Sequence, residues 1–171
     1  MPAPDATLYK DPVINAYIAL IKQYTGNTIK KFYQGDPIRI PVSNMPAIIV
    51  AKRMTESSSA TNAEDQHKVV LVITVVADIR KDISMDTSLV PGMASLYDIM
   101  EGRDPATLQL KTSSLLSIIR HNVDVNQQLQ LFIDVGTPTK IDYSMTLGKR
   151  GEDMFGIEAA LTTVCTCIQV R

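Results

Sequence analysis

Lys68-Val69-Val70-Leu71-Val72-Ile73-Thr74-Val75-Val76-Ala77-Asp78-Ile79-Arg80 decides the fold. Between its charged ends nearly every side chain is β-branched or apolar, at odd and even positions alike. A half-solvated strand would alternate. This pattern predicts a strand covered on both faces, central in a sheet. Directly upstream, Thr55-Glu56-Ser57-Ser58-Ser59-Ala60-Thr61-Asn62-Ala63-Glu64-Asp65-Gln66-His67 holds no apolar side chain larger than Ala. Before that tract, Ala47 to Met54 reads as another strand. The three pieces predict a long β-hairpin arm with a mobile polar tip at about 55–67.

Towards the N-terminus, Asp11 is placed as an N-cap with Pro12 at the first helical position, and Gly26 stands where a terminating glycine belongs. Val13, Ile14, Tyr17, Ile18, Leu20, Ile21 and Tyr24 fall between them at helical spacing, giving one apolar stripe. In residues 27–47, Ile38, Ile40 and Val42 alternate with Arg39 and Pro41. Pro37, Pro41 and Pro46 each remove a ladder donor, which confines this stretch to an edge strand or an extended arm.

Beyond the central strand, a short helical segment is expected around Met93, Leu96, Tyr97 and Met100, broken at Gly102-Arg103. Asp104-Pro105 repeats the cap-plus-proline signature and predicts a second main helix over roughly 105–121, with Leu108, Leu115, Leu116 and Ile119 as its buried face. Leu129 to Val135 and Ile141 to Leu147 alternate as strands. The loop Gly148 to Gly156 carries Lys149, Arg150, Glu152 and Asp153, and the last strand, Ile157 to Val170, is again apolar on both faces. Residues 1–171 therefore read as a single α+β domain. It has one mixed or mostly antiparallel β-sheet, two main helices packed on one face, and the long hairpin arm.

The composition agrees. Of the 171 residues 45% are apolar, aromatics are 5% with no Trp, and Ile, Val and Thr supply roughly a quarter, a bias towards strands. Seventeen Lys+Arg against eighteen Asp+Glu leave a net charge of −1, which excludes binding to nucleic acid or an acidic membrane through overall charge. Val69 to Ala77 is about half the length a membrane-spanning helix needs. Met1 to Thr7 has neither a basic nor an apolar signal region, so synthesis in a reducing cytoplasm is expected. Cys165 and Cys167 share one face of a strand with Cα atoms about 6.5–7 Å apart, poor geometry for a disulfide, and read as structural thiols.

Chemistry is sparse, and neither an enzyme nor a cofactor is expected. His67 lies beside Glu64 and Asp65 in the soft polar tract, not in the rigid shell a metal needs. His121 ends the expected second helix, where it suits the helix dipole. No G-x-S-x-G or G-x-x-x-x-G-K-[ST] occurs, Glu152 and Asp153 diverge on an extended backbone, and Lys30-Lys31 and Arg80-Lys81 lack interleaved aromatics. Surplus apolar strand is the distinctive feature. Val69–Ile79 and Ile157–Val170 exceed what two helices can cover, so self-association through heterologous contacts is expected.

The succession of an amphipathic N-terminal helix, a polar-tipped hairpin ending in Val69-Val70-Leu71-Val72-Ile73-Thr74-Val75-Val76-Ala77, a helix with Leu115-Leu116-Ser117-Ile118-Ile119-Arg120, and strands at the C-terminus resembles the lambda-type tail terminators of long-tailed bacteriophages. The resemblance covers most of the chain through element order and size. It implies a structural virion protein, assembled in the host cytoplasm, forming a ring, usually hexameric, that caps the tail tube and stops its polymerisation. Implied partners are further copies of the chain, the tail tube protein and the head-tail connector protein, with DNA passing through the lumen without specific binding and no membrane contact. Glu56, Glu64 and Asp65 in the arm, and Lys149, Arg150, Glu152 and Asp153 in the later loop, are the candidate interface residues. Other readings are another neck, head-completion or tube-like protein, or a small cytoplasmic ligand-binding or enzyme domain with its site between subunits.

Overall fold

The computed structural model describes residues 11–80, 91–122, 124–144 and 156–170. It has an α+β fold built on one mixed sheet. In chain order the elements are α1 (Pro12–Thr25), β1 (Lys31–Gln34), β2 (Ala47–Ser59), β3 (Glu64–Asp78), α2 (Pro91–Glu101), α3 (Leu115–His121), β4 (Asp124–Asn126), β5 (Leu131–Ile133), β6 (Lys140–Ser144) and β7 (Gly156–Val170). The strands run β1-β2-β3-β7-β5-β4, and β6 also pairs with β7. Among the described strands only β1 and β2 pair in parallel. The doubly apolar stretch is the middle of this sheet: β3 has β2 on one side and β7 on the other along nearly its whole length.

Odd positions of β3 (Val69, Leu71, Ile73, Val75, Ala77) join Ile157, Ala159, Leu161 and Cys165 of β7 in the main core. All three helices pack on that side, contributing Tyr17 and Ile21 from α1, Leu96 and Met100 from α2, and Leu115 and Ile118 from α3. Each such fully buried aliphatic side chain contributes about 1.5–3 kcal/mol by leaving water. The start of α1 follows its sequence signals. Asp11 Oδ1 accepts from the amides of Val13 (3.0 Å) and Ile14 (3.1 Å), and Pro12 leads the helix. At the other end Gly26 takes φ 54°, ψ −129°, a conformation L side chains rarely adopt, and its amide donates to the Lys22 carbonyl.

Two expectations need correction. No helix runs over 105–121. The Asp104 carboxylate does accept from the amides of Ala106 (2.8 Å) and Thr107 (3.0 Å), as a cap should, but Leu108 turns to φ 59° and ends the turn after one cycle. Leu108 is then 69% exposed, not core. The helix begins only at Leu115, with Ser114 accepting from the Ser117 amide (3.4 Å), and α2 is the longer second helix.

The polar tract 55–67 is not a long loop. Thr55 to Ser59 pair with Val69 to Asp65, so only residues 60–63 form the turn. Backbone pairing needs no apolar side chains, and β7 lends a third strand out to Glu64↔Val170, making the arm three-stranded.

The stretch 27–47 does hold an edge strand, at Lys31–Gln34, while 38–42 is not part of it: Ile38 is 87% exposed and Ile40 is buried. Prolines deny this segment its ladder donors, and the edge strand is the proline-free Lys31–Gln34. Residues 40–46 instead fold over one end of the sheet's other face, where Ile40 and Met45 meet Ala47, Ile49 and Val76, with Tyr33 packed beside them. The Asn44 side-chain amide donates to the Tyr33 hydroxyl (2.8 Å) and fastens that cap.

Candidate assembly surface

Away from the helices, the sheet presents the even positions of β3. Register places Val70 between Met54 and Val164, and Val72 between Ala51 and Thr162. Further out, Gln66 lies opposite Ile168, and Glu64 opposite Val170. A β-bulge between Lys52 and Met54 shifts the register of β2. Lys52, just ahead of it, faces the helix side, where its ammonium meets Asp11 at 2.6 Å, and the extra residue aims Met54 at the open face beside Val70.

Burial differs sharply between the two sides of the same strands. Leu71 and Ile73 are fully buried under the helices. Val70, Val72, Ala160, Thr162, Val164, Thr166 and Ile168 are only half-buried, Met54 is 48% exposed and Val170 65% exposed. No described helix covers this face beyond the cap over Ala47, Ile49 and Val76. It is an apolar stripe of Val, Ile, Met and Ala interspersed with threonines and rimmed by Glu56, Lys68, Lys140 and Asp142, the composition of an interface with a dry centre and wet margin. The arm carries the stripe past the helices. Since β1 pairs β2 only as far as Val50, no described strand meets the outer side of β2 from Ala51 to Ser59.

Of the expected interface residues, Glu56, Glu64 and Asp65 all lie on the arm but are spread along it, Glu56 opposite Lys68, and Glu64 and Asp65 near the turn on opposite faces of β3, Asp65 opposite Ser59. Lys68 also approaches Asp134 at 3.8 Å. Lys149, Arg150, Glu152 and Asp153 lie outside the described residues.

The reactive side chains are quiet. Burial pushes the Cys165 thiol up to about 11 and raises Cys167 as well, so neither is a thiolate at neutral pH. Both thiols are free. Tyr17, under Cys165, is held protonated by burial first and by the neighbouring thiol second. Tyr143 donates to Glu101 Oε1 (2.7 Å) and meets the Tyr97 ring edge-on at 5.0 Å, which ties β6 to α2; burial, then the Glu101 carboxylate, raise its hydroxyl. His121 Nδ1 lies 2.9 Å from the Ser117 carbonyl and 3.2 Å from the Ser117 hydroxyl, against the last turn of α3.

An open groove of about 670 Å³ runs beside His121, lined by Arg120, Leu110, Leu116, Val135 and Pro138. Thr139 supplies a hydroxyl to the lining, but no carboxylate lines the groove to orient the imidazole. Sequence reasoning missed this groove because it arises where the turn after Asp104 comes back against β5 and α3, a meeting with no local signature. Among the described residues no group of three or more His, Cys, Asp and Glu could hold a metal, and no helix is long and apolar enough to cross a membrane. No protein-family model matches the chain, and no curated protein matches it.

Proposed function

We propose that this protein is a phage tail terminator: copies of it form a ring on the head-proximal end of a tail tube, stop its polymerisation and offer the attachment surface for the head connector. The observation that carries this reading is the open sheet face, apolar from Ala51 and Val72 to Ile168 and without a described helix above it. A neighbouring copy is the economical cover for such a face, because every subunit brings the same surface. The outer side of β2 from Ala51 to Ser58, which no described strand meets, adds backbone donors and acceptors to the contact. Where that face meets a different surface of the next copy, the contact is head-to-tail and closes into a ring if the rotation allows. The chain's near-zero charge suits a lumen through which DNA slides without being held.

The test is tube length. Added to polymerising tube subunits, the protein is expected to give shorter, uniformly capped tubes as its concentration rises. Co-polymerisation along the tube would mark a tube-like subunit instead. Unchanged tube lengths with no protein at the ends would overturn the reading.

A further inference from the structure

Where α1 ends and β1 begins, the chain folds into an open groove of about 430 Å³ lined by Lys22, Lys30 and Lys31 with Gly26, Asn27 and Phe32. The sequence shows only the pair Lys30-Lys31. The fold adds Lys22, whose ammonium sits 5.0 Å from the centroid of the Phe32 ring and is held there by the cation–π attraction. Among the described residues none of the three lysines is ion-paired. The nearest claim on them is weak: Asp78 feels the charge of Lys30, but its carboxylate is already gripped by Arg80 at 2.8 Å. Three cations around one concavity give it a positive potential.

The same chain carries a matching anion. At its turn end the arm carries Glu64 and Asp65, with no Lys or Arg in residues 55–67; Glu56, further back, faces Lys68 across the hairpin. This acidic end cannot reach the groove of its own molecule. Lys31 is in register with Ala47, and from Ala47 to Ser59 β2 runs about 40 Å at roughly 3.3 Å per residue, straight away from the groove. A second copy can supply it. We propose that the Lys22–Lys30–Lys31 groove receives the acidic arm end of the next copy of this chain, a head-to-tail contact that sets the order of subunits in the assembly. This deepens the ring reading and rests on it. DNA is the weaker candidate, since three phosphate contacts on a chain of net charge −1 give little affinity at physiological salt.

The experiment is a charge exchange read by native mass spectrometry, with circular dichroism to confirm folding. Lys30→Glu with Lys31→Glu makes the groove acidic, and Glu56→Lys with Glu64→Lys makes the arm basic. Lys30, Lys31 and Glu56 are exposed and Glu64 is half-buried, and the dichroism of the arm variant also checks that the hairpin tolerates a second lysine opposite Lys68. Each double variant alone sets like charge against like, so the concentration for half-assembly is expected to rise roughly tenfold or more. An equimolar mixture restores assembly with alternating subunits, because each arm then meets a groove of opposite sign. Variants that assemble alone as well as wild type overturn the contact and leave the ring reading standing. Variants that fail alone and also fail when mixed overturn it too. Loss of binding to a fluorescent DNA duplex on Lys30→Glu/Lys31→Glu, with assembly unchanged, assigns the groove to nucleic acid instead. A wild-type protein that stays monomeric fails the ring reading itself.

Discussion

Asp11 shows how much one side chain can hold. Its carboxylate caps α1 through two amides and pairs with Lys52 across the bulge of β2. Burial alone would raise its pKa, but the Lys52 hydrogen bond, the Ile14 amide, the Lys52 charge and the Val13 amide together hold it below the ordinary 3.8. A depressed carboxylate contributes stability that is complete above its unfolded value and is lost as pH falls through the lower folded one. Asp11→Ala is therefore expected to cost about 1–2 kcal/mol in urea unfolding at neutral pH. The gap to wild type narrows below pH 3.8, and an unchanged gap in acid would contradict this role. Leu108 gives the opposite case. At φ 59° and 69% exposed it has a strained backbone and little packing to lose. Leu108→Gly is expected to stabilise by about 1 kcal/mol, read as a higher urea midpoint with an unchanged slope. The Asp11-Pro12 signal was legible because the apolar period behind it continues for four turns. Asp104-Pro105 carries the same letters, but only Leu108 follows at the right spacing before Lys111-Thr112-Ser113, so the cap opens a turn and nothing propagates.

At the scale of elements, adjacent residues of β3 separate core from surface. Leu71 is sealed under the helices while Val72 is half-buried on the open face. Leu71→Ala is expected to cost about 2–5 kcal/mol, and Val72→Ala no more than about 1, by urea unfolding under conditions where the protein is dispersed to monomers. Equal losses would mean that the open face is packed after all. The central strands were legible because two-faced apolar runs have few other uses in a chain this short. The arm was misjudged because its pairing is carried by backbone groups, which leave no mark in side-chain polarity. That β7 would run alongside it to Val170 depends on a register set about a hundred residues away, and strand pairing at that separation is invisible in a local pattern. The candidate surface was half legible: its apolar strands could be read, the sheet face they leave open could not, and the lysine groove needs Lys22 and Lys30 brought together by the glycine turn at Gly26.

For the whole molecule, the helices take one side of the sheet and the segment around Ile40 and Met45 takes one end of the other. What stays open is continuous with the arm. The measurement that bears most directly on the account is the oligomeric state of the full chain across concentration, by native mass spectrometry with negative-stain images of the same sample. Wild type is expected to give one discrete, closed species seen as rings. Val72→Lys with Val164→Lys, which puts two charges in the open stripe, is expected to disperse that species while circular dichroism stays unchanged, since both positions are half-buried in the monomer. A folded wild-type protein that remains monomeric at every concentration, or rings untouched by the two lysines, would contradict it.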